Sequence, residues 1–119
     1  MQFPVIRQLT DPDRRHLRPH FKVLDATDRR LRFGAALDDA AIDRYVDLID
    51  FDTDAVLSVA DASGRLIAVA HVAPGGEGAE LGLSVHQVER GAGLGGALFA
   101  QAVAWARNRY LVPDRKPLF

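Results

Sequence analysis

The segment best suited to chemistry is Arg90-Gly91-Ala92-Gly93-Leu94-Gly95-Gly96. It follows an alternating apolar run and precedes an alanine-rich stretch, so it sits between a strand and a helix. Glycines permit sharp backbone turns and remove side chains that would block an approaching ligand. The first N–H groups of a helix lack intrahelical partners, and the aligned peptide dipoles favour negative charge there. Such a place holds phosphate, above all pyrophosphate. Arg90 adds a charge-assisted contact of about 1.5–3 kcal/mol. The segment is no P-loop, because no Gly-Lys-Ser/Thr ends it. Gly91, Gly93 and Gly96 fit a loose G-x-G-x-x-G, but they come late, with no following strand to carry a ribose-binding acid. A purely structural use of the glycines, tight helix–sheet packing, stays open.

The elements that must position this loop can be read along the chain. Val5 to Leu9 predicts a short first strand. Thr10 or Asp11 can cap a helix with Pro12 in its first turn. Pro19 interrupts Asp13 to Leu24, which predicts two short helical pieces or one kinked helix. Asp25 to Gly34 is polar and ambiguous, with Leu31-Arg32-Phe33 anchoring a loop. Asp38 caps the next helix, where Ile42, Tyr45, Val46 and Ile49 recur at helical spacing and Tyr45 reads as core edge. Ala55–Ala60, Leu66–Ala73 and Ala79–Val85 predict strands, joined by turns at Asp61–Gly64 and Pro74–Gly78. Together they form an antiparallel meander. Leu94, Leu98, Ala102, Trp105 and Arg109 then share one stripe of a last helix.

In this context the chain resembles the GNAT superfamily of N-acetyltransferases. The family pattern Gln/Arg-x-x-Gly-x-Gly/Ala occurs as Arg90-Gly91-Ala92-Gly93-Leu94-Gly95. Glu80–Val85 before it and Leu98–Ala106 after it are also typical. The resemblance implies an α+β fold, an α/β-sandwich-like meander flanked by helices, with residues 1–109 as a partial acetyl-CoA-binding domain. It implies that Arg90, Gly91, Ala92, Gly93, Leu94, Gly95 and Gly96 cradle the pyrophosphate of acetyl-CoA. The strand around Leu83 and Val85 would pair with the pantetheine amides and offer an N–H to the developing oxyanion. Acetyl transfer to an amine would be direct, which suits a chain with no cysteine.

An ammonium acceptor must lose a proton before it attacks. Glu80, on the strand beside the expected thioester, is the first candidate base. His71 is the second, brought close to Glu80 or Leu81 across the hairpin. Ser84 shares the Glu80 face as a hydrogen bonder. His86 precedes the cradle, and His16 and His20 lie near the first helix, a region that shapes the acceptor pocket in the family. Four histidines without a recognised ligand spacing predict no metal.

The family fold would continue with further strands and a helix. Residues 110–119 form instead a short atypical tail, with Pro113 and Pro117 discouraging a long strand. Tyr110-Leu111-Val112 reads as a vestigial strand, and Tyr110 cannot inherit the family's thiolate-protonating tyrosine. The apolar edge so exposed predicts a homodimer, by pairing of that surface or by exchange of terminal segments, using Leu111, Val112, Leu118 and Phe119. Two readings follow: an acetyl-CoA-dependent N-acetyltransferase, or a degenerate acyl-CoA-binding or dimeric interaction protein.

Bulk properties set the outer limits. The 119 residues make one domain, 48% hydrophobic, with 15 basic against 16 acidic side chains. This balance gives no global attraction to nucleic acid or an anionic membrane. The clusters Arg14-Arg15-His16-Arg18 and Arg29-Arg30-Arg32 read as solvated faces. No run approaches the roughly 20 apolar residues of a membrane span, and the first residues lack the basic-then-apolar pattern of a signal peptide. The expected location is cytoplasmic.

Overall fold

Alternating side chains from Ala55 onward build the sheet on which everything else is placed. The computed structural model describes residues 4–76 and 78–111. Its elements are β1 (Arg7–Gln8), α1 (Arg14–Lys22), α2 (Ala26–Phe33), α3 (Asp39–Leu48), β2 (Ala55–Ala60), β3 (Leu66–Gly75), β4 (Gly78–Val85) and α4 (Leu94–Ala106). The four strands form one antiparallel sheet in the order β1-β2-β3-β4. Among the described residues β4 is therefore an edge strand.

Two apolar clusters fix the layers. On one face Leu17, Phe21, Ile42 and Val46 from α1 and α3 pack on Val56 and Val69. On the other, Leu98 and Ala102 of α4 pack on Ala55, Ala68, Ala70 and Val72. The small residues of β3 let α4 approach the sheet closely. This is the predicted α+β arrangement of a meander flanked by helices.

Local chemistry sets most boundaries. The Thr10 N–H donates to Asp13 Oδ2 at 2.9 Å, closing the turn before α1. Asp38 accepts from Ala41 N–H at 2.8 Å at the start of α3. Asp61 Oδ1 accepts from Ser63 and Arg65 N–H and closes the β2–β3 turn.

The structure departs from the sequence reading, or decides between its alternatives, at several places. Pro19 lies inside α1, which runs as one helix, the second of the two forms the sequence allowed. Asp25 to Gly34 is a helix, not a loop. Asp25 caps it by accepting from Asp28 N–H at 2.8 Å, and Gly34, at φ 81°, ends it. The half-buried arginines are structural rather than solvated. Arg14 donates to the carbonyls of Val46 and Ile49, and Arg29 to those of Leu24, Leu37 and Lys22. Finally, the chain continues as a wider helical turn over Arg107–Leu111, so Tyr110 and Leu111 are not in a strand. Val112, Leu118 and Phe119, assigned to segment exchange, lie outside the described residues.

Candidate functional site

The glycine loop turns the chain from the end of β4 into α4. Gly91 and Gly93 take φ of 93° and 83°, a region that costs other residues strain. Gly93 is the N-cap of α4, and its carbonyl accepts from Ala97 N–H at 3.1 Å. Among the described residues no side chain caps this helix, so the N–H groups of Leu94, Gly95 and Gly96 are left without an intrahelical partner. A Cβ added at Gly91, Gly93 or Gly96 would meet nothing within 4 Å. One at Gly95 would only touch Val85 and Leu83 at 3.5 and 3.7 Å. Close helix–sheet packing therefore does not explain these glycines.

In front of the loop lies a cleft of about 460 Å³, walled by α2, β4 and the loop itself. Leu83, Val85, Arg90, Gly91, Gly93, Leu94, Gly95 and Gly96, all expected at the cofactor, line it. Ala92 is exposed and does not. Arg90 Nε donates to the Val85 carbonyl at 3.1 Å, and its Nη2 pairs with Asp28 at 2.9 Å. The residue best placed to meet phosphate is thus held across the cleft by an acid of α2.

A second cavity, of about 270 Å³, opens farther along β4. Arg32, Tyr45, His71, Glu80 and Gly82 line it, and Arg32 also lines the first. Register places His71 opposite Gly82 and Glu80 opposite Ala73. The hairpin turn is tighter than predicted, because the strands run on to Gly75 and Gly78. His71 and Glu80 are therefore diagonal neighbours on one face. Glu80 is exposed and lies along Gly75, where a Cβ would come 2.6 Å from its Cγ.

His71 is held at both ring nitrogens. Nε2 lies 2.8 Å from Asp54 Oδ2, and Nδ1 contacts the Tyr45 hydroxyl. A carboxylate only accepts, so Nε2 carries the proton and Tyr45 O–H donates to Nδ1. Arg32 Nη2 donates in turn to the Tyr45 oxygen at 2.6 Å. The result is a directed chain, Arg32→Tyr45→His71→Asp54. Burial pulls the His71 pKa below its ordinary value, opposed by Asp54. Burial raises that of Tyr45, opposed by Arg32.

The remaining histidines divide sharply. His16 is exposed. His20 and His86 are buried and stack with ring centroids 4.4 Å apart. His20 Nδ1 lies 3.0 Å from the Leu66 carbonyl and Nε2 2.7 Å from Ser84 Oγ. Nδ1 must donate to the carbonyl, so Nε2 accepts from the serine. Burial lowers the His20 pKa to about 3, so the ring is neutral. Ser84, which also lines the cleft, is consequently a donor to His20. His86 Nε2 lies 3.0 Å from the His20 carbonyl. Among the described residues no three His, Asp or Glu side chains converge on a metal position.

Sequence reasoning missed Asp28, Arg32 and Asp54, and treated Tyr45 as packing alone. Tyr45 does pack on Phe21 and Phe33, but its hydroxyl belongs to the polar chain. The available signal for Asp28 and Arg32 was the pair of caps, Asp25 and Gly34, that makes their segment a helix.

Helical layers on both faces of a meander, with a glycine loop at one end of an edge strand, define an acetyltransferase-type fold. The chain belongs to the acetyltransferase (GNAT) family, whose model matches residues 12–115. Solved structures agree at the level of fold. The GNAT domain of S. lividans PAT is 23% identical with a TM-score of 0.69, covering 88% of this chain and 66% of that one. A ribosomal-protein-alanine N-acetyltransferase from Brucella melitensis is 24% identical with a TM-score of 0.65, covering 90% and 69%. A phosphinothricin acetyltransferase from Sinorhizobium meliloti, in complex with AcCoA, is 18% identical with a TM-score of 0.65, covering 90% and 61%. The chain thus spans about two thirds of the length of these proteins. No curated protein matches the sequence. Among the described residues no helix is long and apolar enough to cross a membrane.

Proposed function

We propose that this chain transfers the acetyl group of acetyl-CoA directly to an amine acceptor. The observation that carries the reading is the uncapped start of α4, whose open glycines face a cleft running beside β4. The N–H groups of Leu94, Gly95 and Gly96, with Arg90, would hold the pyrophosphate. The outer edge of β4 around Leu83 and Val85 would hydrogen-bond the pantetheine amides. Acetyl-CoA supplies an activated thioester; the chain positions it and manages the protons. The incoming ammonium gives its proton to Glu80, whose carboxylate is exposed at the cavity mouth. His71 is the alternative acceptor, reached through Tyr45. A proton passed to the Tyr45 oxygen releases the hydroxyl proton to Nδ1, and Asp54 supports the resulting imidazolium. The free amine forms the C–N bond, the C–S bond breaks, and the nitrogen's surplus proton passes to the departing sulfur, so CoA leaves as thiol. A homodimer that covers exposed apolar surface, such as Phe99 of α4, belongs to the same proposal.

Acceptor-dependent release of CoA thiol from acetyl-CoA, measured across a panel of amines, tests this reading. Release is expected to fall in Glu80→Gln or His71→Ala, with a changed pH profile in the variant that removes the base. Reversible acetyl-CoA binding without release would favour a binding protein instead. Full kcat/KM at every pH in both variants would exclude both residues as the essential base.

A further inference from the structure

Among the half-buried arginines of the described residues, one is exceptional. Arg14, Arg18 and Arg29 each pair with an aspartate. Arg32 has no acidic partner among the described residues, although it is equally half-buried. Its guanidinium is held by rings: Cζ lies 4.6 Å from the Phe33 centroid, 5.3 Å from Tyr45 and 5.5 Å from Phe21. Nη2 donates to the Tyr45 oxygen, while Nε is buried without a partner. The group presses on the backbone of Gly82, where any Cβ would collide with it. It thereby fills the wall of the second cavity. Glu80, the carboxylate lining that cavity, makes no ion pair with it among the described residues.

A half-buried guanidinium fixed by rings, with one donor unsatisfied, no acidic partner among the described residues and a cavity at its side, is an incomplete anion site. We infer that Arg32 anchors a carboxylate of the acceptor, which makes the preferred acceptor a small amino-acid-like amine. The size limit comes from the cavity of about 270 Å³. The short separation of amine and carboxylate comes from Tyr45, whose oxygen lies 2.6 Å from Arg32 Nη2 and which leads to His71. A carboxylate on Arg32 leaves the amine a few bonds away, beside that relay. The inference rests on the acyl-transfer reading for the identity of the second substrate, not for the anion site itself. Because Arg32 also lines the donor cleft, an anionic group of CoA is the competing source of negative charge.

The test is a titration followed by the Arg32 Nε–Hε NMR signal in isotope-labelled protein, with and without CoA. The probes are N-acetylglycine, N-acetyl-L-alanine and N-acetyl-L-phenylalanine, each compared with its carboxamide. At least one acid is expected to shift the signal and bind about tenfold or more tighter than its amide, the worth of one charge-assisted contact. Arg32→Gln should abolish that preference, Arg32→Lys should restore part of it, and CoA affinity should stay unchanged in both. Equal binding of acids and amides, binding of neither, or an acid preference that survives Arg32→Gln would overturn the inference. So would a comparable loss of CoA affinity in Arg32→Gln, which would give the guanidinium to the donor. The wild-type arm stands whether or not a variant folds. Acid preference without any acetyl transfer would sink the transferase reading alone. Transfer to amines with no carboxylate preference would sink the anchor alone.

Discussion

Lowering the pH from 7 to 5 should destabilise this protein through His20. The ring is buried and neutral, with a pKa pulled from 6.5 to about 3. As the pH falls through about 6.5, the unfolded chain takes up a proton that the folded chain refuses, so stability is lost. The contribution is fully present above the unfolded pKa and disappears progressively towards pH 3. With one pKa unit worth about 1.36 kcal/mol, the loss between pH 7 and 5 is about 2 kcal/mol, and about 4 kcal/mol by pH 3. That is a large share of the roughly 5–15 kcal/mol that stabilises a typical domain. His71, also pulled down by burial, acts in the same direction, so a variant must isolate His20. His20→Asn keeps an N–H for the Leu66 carbonyl but cannot take a proton. Urea unfolding at both pH values should show the variant less stable at pH 7, because the Ser84 hydroxyl loses its acceptor. Its further loss on going to pH 5 should be smaller than that of the wild type by about 2 kcal/mol. Parallel losses in the two proteins would refute the assignment of a buried neutral His20.

Two further outcomes bear on the cleft. Gly96→Ala should raise the urea midpoint, since alanine favours a helix over glycine by about 0.5–1 kcal/mol and the new Cβ meets no protein atom. The same variant should bind acetyl-CoA at least about tenfold more weakly, because the methyl projects where the ligand approaches; unchanged affinity by calorimetry would mean the open space is incidental. Asp28→Asn should release Arg90 and tighten acetyl-CoA binding by up to about fivefold, the worth of a partly exposed ion pair, with the gain shrinking at high salt. Unchanged or weaker binding at low salt would show that Asp28 does not compete with the ligand.

The meander was legible because β2 and β3 are short apolar runs, β4 alternates, and the turns between them carry Asp61, Gly64 and the glycines after Pro74. The cradle was legible because glycine, arginine and a following helix stand next to one another in the chain. Helix α2 was not, because its three arginines leave no apolar stripe. Its inner face is made by Phe33 and by Arg32 lying on aromatic rings, a contact that hydropathy counts as polar. The caps Asp25 and Gly34 were visible but do not outweigh such a composition. The polar chain was hidden for a different reason. Tyr45 and Asp54 reach His71 from 26 and 17 residues away, so no local spacing connects them. Only the register that sets His71 opposite Gly82, with α3 laid across that face, brings them together.

The central claim is that the glycine loop is a working cradle for acetyl-CoA, and calorimetry on the full chain tests it most directly, with Gly93→Glu as control. Gly93 carries positive φ at the N-cap, and a carboxylate there would both strain the turn and repel phosphate. Saturable binding to the wild type, lost in a variant that remains folded by circular dichroism, is the expected result. No binding to the wild type at millimolar acetyl-CoA, or equal binding by the variant, would contradict it.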